Sequence, residues 1–64
     1  MEYQNSRVRE IIAEWVHNDR DRRIMELRLT HEKTLEEIAE IVDMSPRQVS
    51  RIVKELSRVI FSHY

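Results

Sequence analysis

The sequence predicts an all-α fold, a four-helix domain that contains a helix-turn-helix, and three observations support this class. Apolar residues recur at spacings of three and four along most of the chain, which is the period of an amphipathic helix. No segment alternates apolar and polar residues as a half-buried strand does. Two helix start signals, at Thr34 and Ser45, lie close together. We expect a single domain over 1–64, with helices at about 6–17, 20–30, 34–43 and 46–61.

The first helix is predicted from one apolar stripe that follows a polar lead-in at 1–7. Asn5 or Ser6 is expected to cap it. Trp15 is the only tryptophan of the chain and falls on this stripe. We therefore expect its large apolar surface to anchor the core. The stripe consists of Val8, Ile11, Ile12, Trp15 and Val16.

The second helix is predicted to begin with Asn18 or Asp19 as its cap and to continue to about Thr30. The charged cluster at its start, Arg-Asp-Arg-Arg at 20–23, allows two interpretations. It is either a patch that contacts phosphate or a solvated helix start, whose local ion pairs contribute about 0.2–0.5 kcal/mol each. A short loop at 31–33 leads to the next helix. The apolar residues of the second helix are Ile24, Met25, Leu27 and Leu29.

The third helix is predicted from a capping box, in which the Thr34 hydroxyl and the Glu37 carboxylate each bind the other residue's backbone N–H. Ala39 lies at its middle, where a closely crossing helix requires a small side chain. Because the residue before a proline avoids helical geometry, this helix should end by about Met44. Only three residues remain for the turn, which favours the sharp crossing of a helix-turn-helix. The turn has no glycine, so Asp43 is expected to tolerate the left-handed region instead.

The fourth helix has the strongest start signal: Ser45 as N-cap, Pro46 at the first helical position, and Gln48 to complete a second capping box. Its apolar stripe continues beyond the length of a minimal helix-turn-helix. The far half must pack on something, and the first helix and a second subunit are both candidates. The stripe comprises Val49, Ile52, Val53, Leu56, Val59 and Ile60, with Phe61 and Tyr64 beside it.

The net charge is −1, but the charges are unevenly distributed. Residues 1–33 carry seven basic and seven acidic groups. Residues 34–45 carry four acidic groups and no basic one, whereas residues 46–64 carry four basic groups and one acidic group. The fourth helix is therefore the basic segment, and this distribution matters more for nucleic-acid binding than the sum. The acidic third helix is expected to keep phosphates away from its outer face.

The sequence argues against catalysis, metal binding and a cofactor. It has no cysteine and no glycine, so it lacks thiolate ligands and glycine-rich phosphate loops. His17, His31 and His63 lie in different elements, without the spacing of metal ligands. No apolar run approaches the roughly 20 residues of a membrane span, and no signal peptide is visible. We expect a non-enzymatic, cytoplasmic protein that does not bind the membrane.

The outward face of the fourth helix is the candidate functional site, because it is polar and basic and has no evident structural role. An α-helix fits the major groove of DNA, and residues near its N-terminus reach base edges. Arginine suits guanine O6 and N7, and glutamine suits adenine N6 and N7. We expect contacts to the bases of double-stranded DNA from Arg47, Gln48, Ser50 and Arg51. We expect contacts to phosphate from Ser45, Lys54 and Arg58, together with free N–H groups at the helix start.

Two stretches of the chain resemble region 4 of bacterial RNA polymerase sigma factors. The first is DRDRRIMELRL at 19–29, with an I-x-x-L-R pattern. The second is TLEEIAEIVDMSPRQVSRIVKELSRVI at 34–60, with T-x-E-E-I-A followed by S-x-x-x-V. The resemblance, over about 18–60, implies a domain that binds the −35 promoter element through its second helix-turn-helix helix and docks on the flap of the polymerase β subunit. The contact positions that it implies are Arg47, Gln48, Ser50 and Arg51.

Three functional interpretations stay open at this point. The resemblance favours a DNA-binding module, either a domain excised from a sigma factor or a stand-alone regulator. The near-neutral charge suits a protein-interaction module of the same fold, which binds RNA polymerase or another regulator and whose basic face is merely solvated. A homodimeric repressor is the third interpretation, because isolated helix-turn-helix units usually dimerise to read two half-sites.

Overall fold

The computed structural model describes residues 5–64, and this part of the chain forms four α-helices and no strand. The predicted all-α class, the helix order and the three-residue turn before the last helix are confirmed, and every boundary lies within two residues of its prediction. Residues 5–7 of the predicted lead-in are helical, and the rest of that prediction falls outside the described residues. The helices are α1 (Asn5–Trp15), α2 (Asp19–Leu29), α3 (Leu35–Val42) and α4 (Pro46–Ser62).

The core is organised around α2 and α4, each of which packs against the other three helices. The described parts of α1 and α3 do not contact each other, so α2 and α4 hold them together. All the buried side chains of residues 5–64 are apolar. The core therefore has no cost from removing a polar side chain from water. Ala39 is buried where α3 approaches α4, as its small size predicted. The core consists of Val8, Ile11, Ile12, Val16, Ile24, Met25, Ile38, Ala39, Val49 and Ile60.

Trp15 does not lie in this core, so the prediction that it anchors the core is wrong. The residue is 44% exposed, whereas Val16 beside it is only 3% exposed. The buried stripe of α1 is narrower than the sequence pattern suggests, and Trp15 sits at its edge. Its indole instead stacks on the imidazole of His63, at the end of α4, with ring centroids 3.8 Å apart. Trp15 therefore covers the junction between α1 and α4 from outside.

A side chain of α2 caps the C-terminal end of α1. Arg22 donates a hydrogen bond from Nη2 to the carbonyl of Ala13 at 2.8 Å, and another from Nε to the carbonyl of Val16. Carbonyls at the end of a helix have no partner within it, so an arginine that binds them stabilises the terminus. α1 ends two residues before its predicted end. Within the charged cluster at 20–23, Arg22 is thus engaged by the fold, and Arg20 pairs with Asp21 at 3.4 Å.

The starts of α2 and α3 follow the predicted capping chemistry. The Asn18 side chain accepts a hydrogen bond from the N–H of Asp21 at 3.2 Å. In the box of α3, the N–H of Thr34 donates to the Glu37 carboxylate at 2.9 Å, and the N–H of Glu37 donates to the Thr34 hydroxyl at 3.1 Å. Hydrogen bonds with Thr34 hold the pKa of Glu37 below its ordinary value of 4.5. The bond with the Thr34 backbone has the larger effect, and the bond with the Thr34 side chain has the smaller one.

Two of the described residues adopt the left-handed conformation that glycine adopts without cost. Asp43, after α3, has φ 56° and ψ 50°, as predicted. The N–H of Met44 then donates to the carbonyl of Ala39 at 3.0 Å, which reverses the chain towards α4. Glu32, in the loop before α3, has φ 55°, which the sequence did not indicate.

The C-terminal half of α4 packs on α1. The sequence left both the first helix and a second subunit open as its partner, and the structure decides part of this question. Ile60 is fully buried, and the Arg7 guanidinium donates to the carbonyl of His63 at 3.2 Å. Phe61 and Tyr64 remain 37% and 38% exposed. The structure therefore assigns Ile60 to the core of the chain itself. No helix in the described part of the chain has the length and apolar content that crossing a bilayer requires.

Candidate nucleic-acid interface

α4 presents two opposite faces, one to the core and one to solvent. Val49 and Ile60 are fully buried, and the apolar residues between them are half-buried. The basic residues occupy the other face at successive spacings of four, three and four, which places them in one row along the helix. Ser50 lies beside this row and is also exposed. We call the row the basic stripe; it consists of Arg47, Arg51, Lys54 and Arg58, all of them exposed.

Among residues 5–64, most of the basic stripe has no acidic partner. Within residues 5–64, no carboxylate lies within ion-pair distance of Arg47, Lys54 or Arg58. Arg51 is the exception, because its Nε lies 3.5 Å from the Glu55 carboxylate, and both side chains are highly exposed. An exposed pair of this kind contributes less than about 1 kcal/mol, so the pair leaves Arg51 available to a phosphate or a base. The stripe therefore carries uncompensated positive charge.

The start of α4 is held by the predicted capping box between Ser45 and Gln48. The N–H of Gln48 donates to the Ser45 hydroxyl at 3.2 Å, and the N–H of Ser45 donates to Gln48 Oε1 at 3.3 Å. The Ser45 hydroxyl lies 3.3 Å from the same Oε1, so its proton is also directed into the box. Both residues are exposed. Two of the residues predicted to contact DNA are thus already hydrogen-bonded to each other.

This box corrects the expectation that the helix start offers several free N–H groups to a phosphate. The N–H of Gln48 is bound to the Ser45 hydroxyl, and Pro46 has no N–H at all. The N–H of Val49 donates to the Ser45 carbonyl at 3.1 Å, as in a continuing helix. Among the described residues, Arg47 alone keeps an unengaged N–H in the first turn. One N–H group is a weaker anion site than the several free N–H groups that we expected at the helix start.

Two shallow depressions flank the turn before α4, and they differ in charge. Met44 contributes to both. The depression on the α3 side is acidic, because four carboxylates line it. These are Glu36, Glu37, Glu40 and Asp43. The depression on the α2 side is lined by Arg20, Met44, Gln48, Arg51, Ile52 and Glu55.

Sequence reasoning found the basic stripe but missed two of its neighbours. Arg20 lies on α2, and only the packing of α2 against α4 brings it to the same depression as Gln48 and Arg51. Glu55 was counted as a charge but not assigned to a partner, although its spacing of four from Arg51 is the ordinary signal for such a pair. The structure brings together all the predicted base-contacting residues on the first two turns of α4. Lys54 and Arg58 lie further along the same helix.

Among residues 5–64, no group of three or more histidine, aspartate or glutamate side chains is placed to hold a metal ion. The acidic depression beside α3 presents carboxylates on one helix surface only.

Comparison with known protein families gives an assignment. The sequence profile of the family "Sigma-70, region 4" matches residues 18–56, which is more than half of the chain. Comparison with curated proteins and with solved structures gives no match. The matched stretch contains α2, α3, both capping boxes and the first two turns of α4, where the site residues lie. The chain therefore belongs to the sigma-70 region 4 family, whose helix-turn-helix domains bind DNA in transcription.

Proposed function

We propose that the chain binds double-stranded DNA sequence-specifically, with the first two turns of α4 in the major groove of a promoter element of the −35 type. The observation that carries this proposal is the basic stripe, which lies opposite the core and has few acidic partners. A stripe without a structural partner is available to a polyanion. Arg47, Gln48, Ser50 and Arg51 are the proposed base contacts, since they lie on the first two turns of the helix.

The dimensions of α4 suit this arrangement. At about 1.5 Å per residue, Arg47 and Arg51 are separated by roughly 6 Å along the helix axis, and Arg47 and Arg58 by roughly 16 Å. The major groove is about 12 Å wide, so a helix that enters it with Arg47 and Arg51 places Lys54 and Arg58 near a phosphate rim. We therefore assign Lys54 and Arg58 to phosphate contacts.

The charges around α4 also favour one orientation on the duplex. The acidic depression beside α3 repels phosphate, whereas Arg20 on the α2 side attracts it. The DNA backbone is therefore expected to run past the start of α2 and away from the outer face of α3. This assigns a phosphate contact to Arg20, in addition to those predicted from the sequence.

Membership of the family supports a second partner, RNA polymerase, with the β-subunit flap as the docking surface. This partner belongs to the same proposal, because a promoter-binding region acts by positioning polymerase. The proposal places the chain in the cytoplasm, where bacterial transcription takes place.

A protein-interaction module with little DNA affinity is the second candidate, and one observation favours it. Ile41 is 44% exposed on α3, beside the acidic side chains of that helix. An exposed apolar residue within an acidic surface suits a protein partner better than a nucleic acid. A homodimer through Phe61 and Tyr64 is a further variant, which a measurement of molecular mass in solution tests directly.

DNA titration at two salt concentrations separates the two candidates. Labelled promoter-like and random duplexes are titrated with the wild type, with Arg47→Ala/Arg51→Ala and with Arg9→Ala, which removes an exposed arginine of α1. We expect salt-sensitive binding that collapses in the double variant and persists in Arg9→Ala. Lys54→Ala/Arg58→Ala should reduce the slope of log K against log salt by about 2, because each neutralised phosphate contributes about 0.9. Absence of binding at low salt, from protein shown by circular dichroism to be helical, would exclude the DNA-binding proposal.

A further inference from the structure

The amide group of Gln48 has a fixed direction, and that direction limits which bases it recognises. Its Oε1 accepts from the N–H of Ser45, at 3.3 Å, and lies 3.3 Å from the Ser45 hydroxyl. A backbone N–H is only a donor, so the atom that faces it must be the amide oxygen and not the nitrogen. The capping box therefore occupies the acceptor end of this side chain.

The donor end of the same amide remains available. Among the described residues, Gln48 Nε2 makes no hydrogen bond, although the other polar groups of the box are engaged. Gln48 is exposed and lines the depression that it shares with Arg51 and Arg20. Two N–H donors are thus presented beside the basic stripe, in the first turn of α4.

A comparison of the two capping boxes indicates that stability does not require a glutamine at position 48. The box of α3 has the same two hydrogen bonds from backbone N–H groups, but its third helical residue is Glu37, whose side chain is a carboxylate. A carboxylate at this position also interacts favourably with the helix dipole, so glutamate would serve the α4 box at least as well. Gln48 is uncharged, so it lacks that interaction with the helix dipole. What it offers instead is an uncharged donor on the face proposed to meet DNA.

We infer that Gln48 determines specificity by reading acceptor groups in the major groove with Nε2, while its Oε1 stays in the capping box with Ser45. This inference rests on the proposed function. The paired recognition of adenine N6 and N7 that is usual for glutamine needs a free Oε1, which the box removes. Guanine offers two acceptors in the major groove, O6 and N7, whereas thymine and adenine each offer one. Guanine is therefore the expected base opposite Gln48.

The test is Gln48→Glu, which keeps the box but replaces the two donors by an acceptor. Base preferences are measured by selecting bound duplexes from a library randomised over the target site, and melting temperature is measured on the same proteins. We expect wild type to select guanine at one position. Gln48→Glu should lose that preference about tenfold and gain preference for cytosine, whose N4 is a donor, while its melting temperature does not fall.

Two further variants separate the contact from the cap and from net charge. Gln48→Ala removes both cap and donors, so it should lose the same base preference and also melt at a lower temperature. Asn18→Asp makes the same amide-to-carboxylate change at the cap of α2 and should leave base preferences unchanged. Uniform weakening by Gln48→Glu with unchanged preferences would overturn the inference and leave the DNA-binding proposal intact. Wild-type protein that selects no sequence would overturn both.

Discussion

The indole of Trp15 lies parallel to the imidazole of His63, with ring centroids 3.8 Å apart and 4° between the ring planes. Trp15 is the last residue of α1, and His63 is the residue that ends α4. The stack therefore joins the ends of two helices that are almost fifty residues apart in sequence. Because α4 carries the basic stripe, this contact helps to hold the proposed reading helix against the core.

The first prediction concerns that stack. Trp15→Ala and His63→Ala should each destabilise the protein, and a double-mutant cycle should give a coupling of about 0.5–1.5 kcal/mol. Urea unfolding followed by circular dichroism measures all four proteins without relying on the tryptophan signal. As a matched control, Trp15→Ala combined with His31→Ala should be additive. Additive effects in the Trp15/His63 cycle would show that the rings do not interact in solution.

The second prediction concerns the closure of α1. Arg22→Ala removes two hydrogen bonds to carbonyls of α1 and should cost about 1–3 kcal/mol. Arg20→Ala is the control: Arg20 pairs with its neighbour Asp21, and its removal should cost less than about 0.5 kcal/mol. Thermal unfolding distinguishes them, since 1 kcal/mol corresponds to about 4–8 °C in a domain of this size. Equal melting temperatures for the two variants would contradict the structural role of Arg22.

The third prediction is a pH dependence that originates in the capping box of α3. Folding lowers the pKa of Glu37, so its ionised form stabilises the native state above the ordinary value of 4.5. This contribution is lost as pH falls through the lowered pKa. Glu37→Gln should therefore be less stable than wild type at neutral pH, and the difference should shrink below that range. Melting curves from neutral pH downward test this, and Glu36→Gln, which lies outside the box, should show a weaker trend.

The fourth prediction concerns the left-handed residue Glu32. The left-handed conformation costs a residue with a Cβ about 1–2 kcal/mol, and glycine avoids this cost. Part of the gain is lost, because glycine has greater conformational freedom in the unfolded chain. Glu32→Gly should therefore raise stability by roughly 0.5–1 kcal/mol. Asp43→Gly should give less, because aspartate tolerates this region better than glutamate. Calorimetry or urea unfolding ranks the two variants, and the reverse order would count against the strain at Glu32.

The fifth prediction links Glu55 to DNA affinity. Glu55 is the acidic partner of Arg51 and lines the depression that Arg51 and Arg20 share. Glu55→Gln should tighten DNA binding by about 1.4- to fivefold at low salt, because an exposed pair contributes about 0.2–1 kcal/mol. Glu14→Gln makes the same charge change on α1 and should have a smaller effect. An equal gain in both variants would mean that net charge, and not Arg51, is responsible.

Much of the fold was predictable because its signals are local. Capping boxes, a proline at the first helical position and apolar spacing all act within a few residues, so they place helix boundaries from sequence. The position of Trp15 was not predictable in this way. A residue at the edge of an apolar stripe is buried or exposed according to the width of the facing helix surface, which is a property of the packed structure.

The candidate site also has one part that the sequence predicts and another that only the structure shows. The row of Arg47, Arg51, Lys54 and Arg58 follows from the helical period, and it could be placed on one face from the sequence alone. Gln48 was expected both in the capping box and among the base contacts, and the sequence does not show whether one side chain can fill both roles. Only coordinates show which end of its amide the box occupies.

The sequence by itself determined the helices, the turn, the basic face of α4 and membership of the family, because periodicity and capping depend on neighbouring residues. The tertiary structure alone decided which long-range partners meet. It placed His63 on Trp15, Arg22 on the end of α1, and Arg20 beside the start of α4. Such contacts depend on how the helices pack against one another, and no residue carries that information in its immediate sequence neighbours.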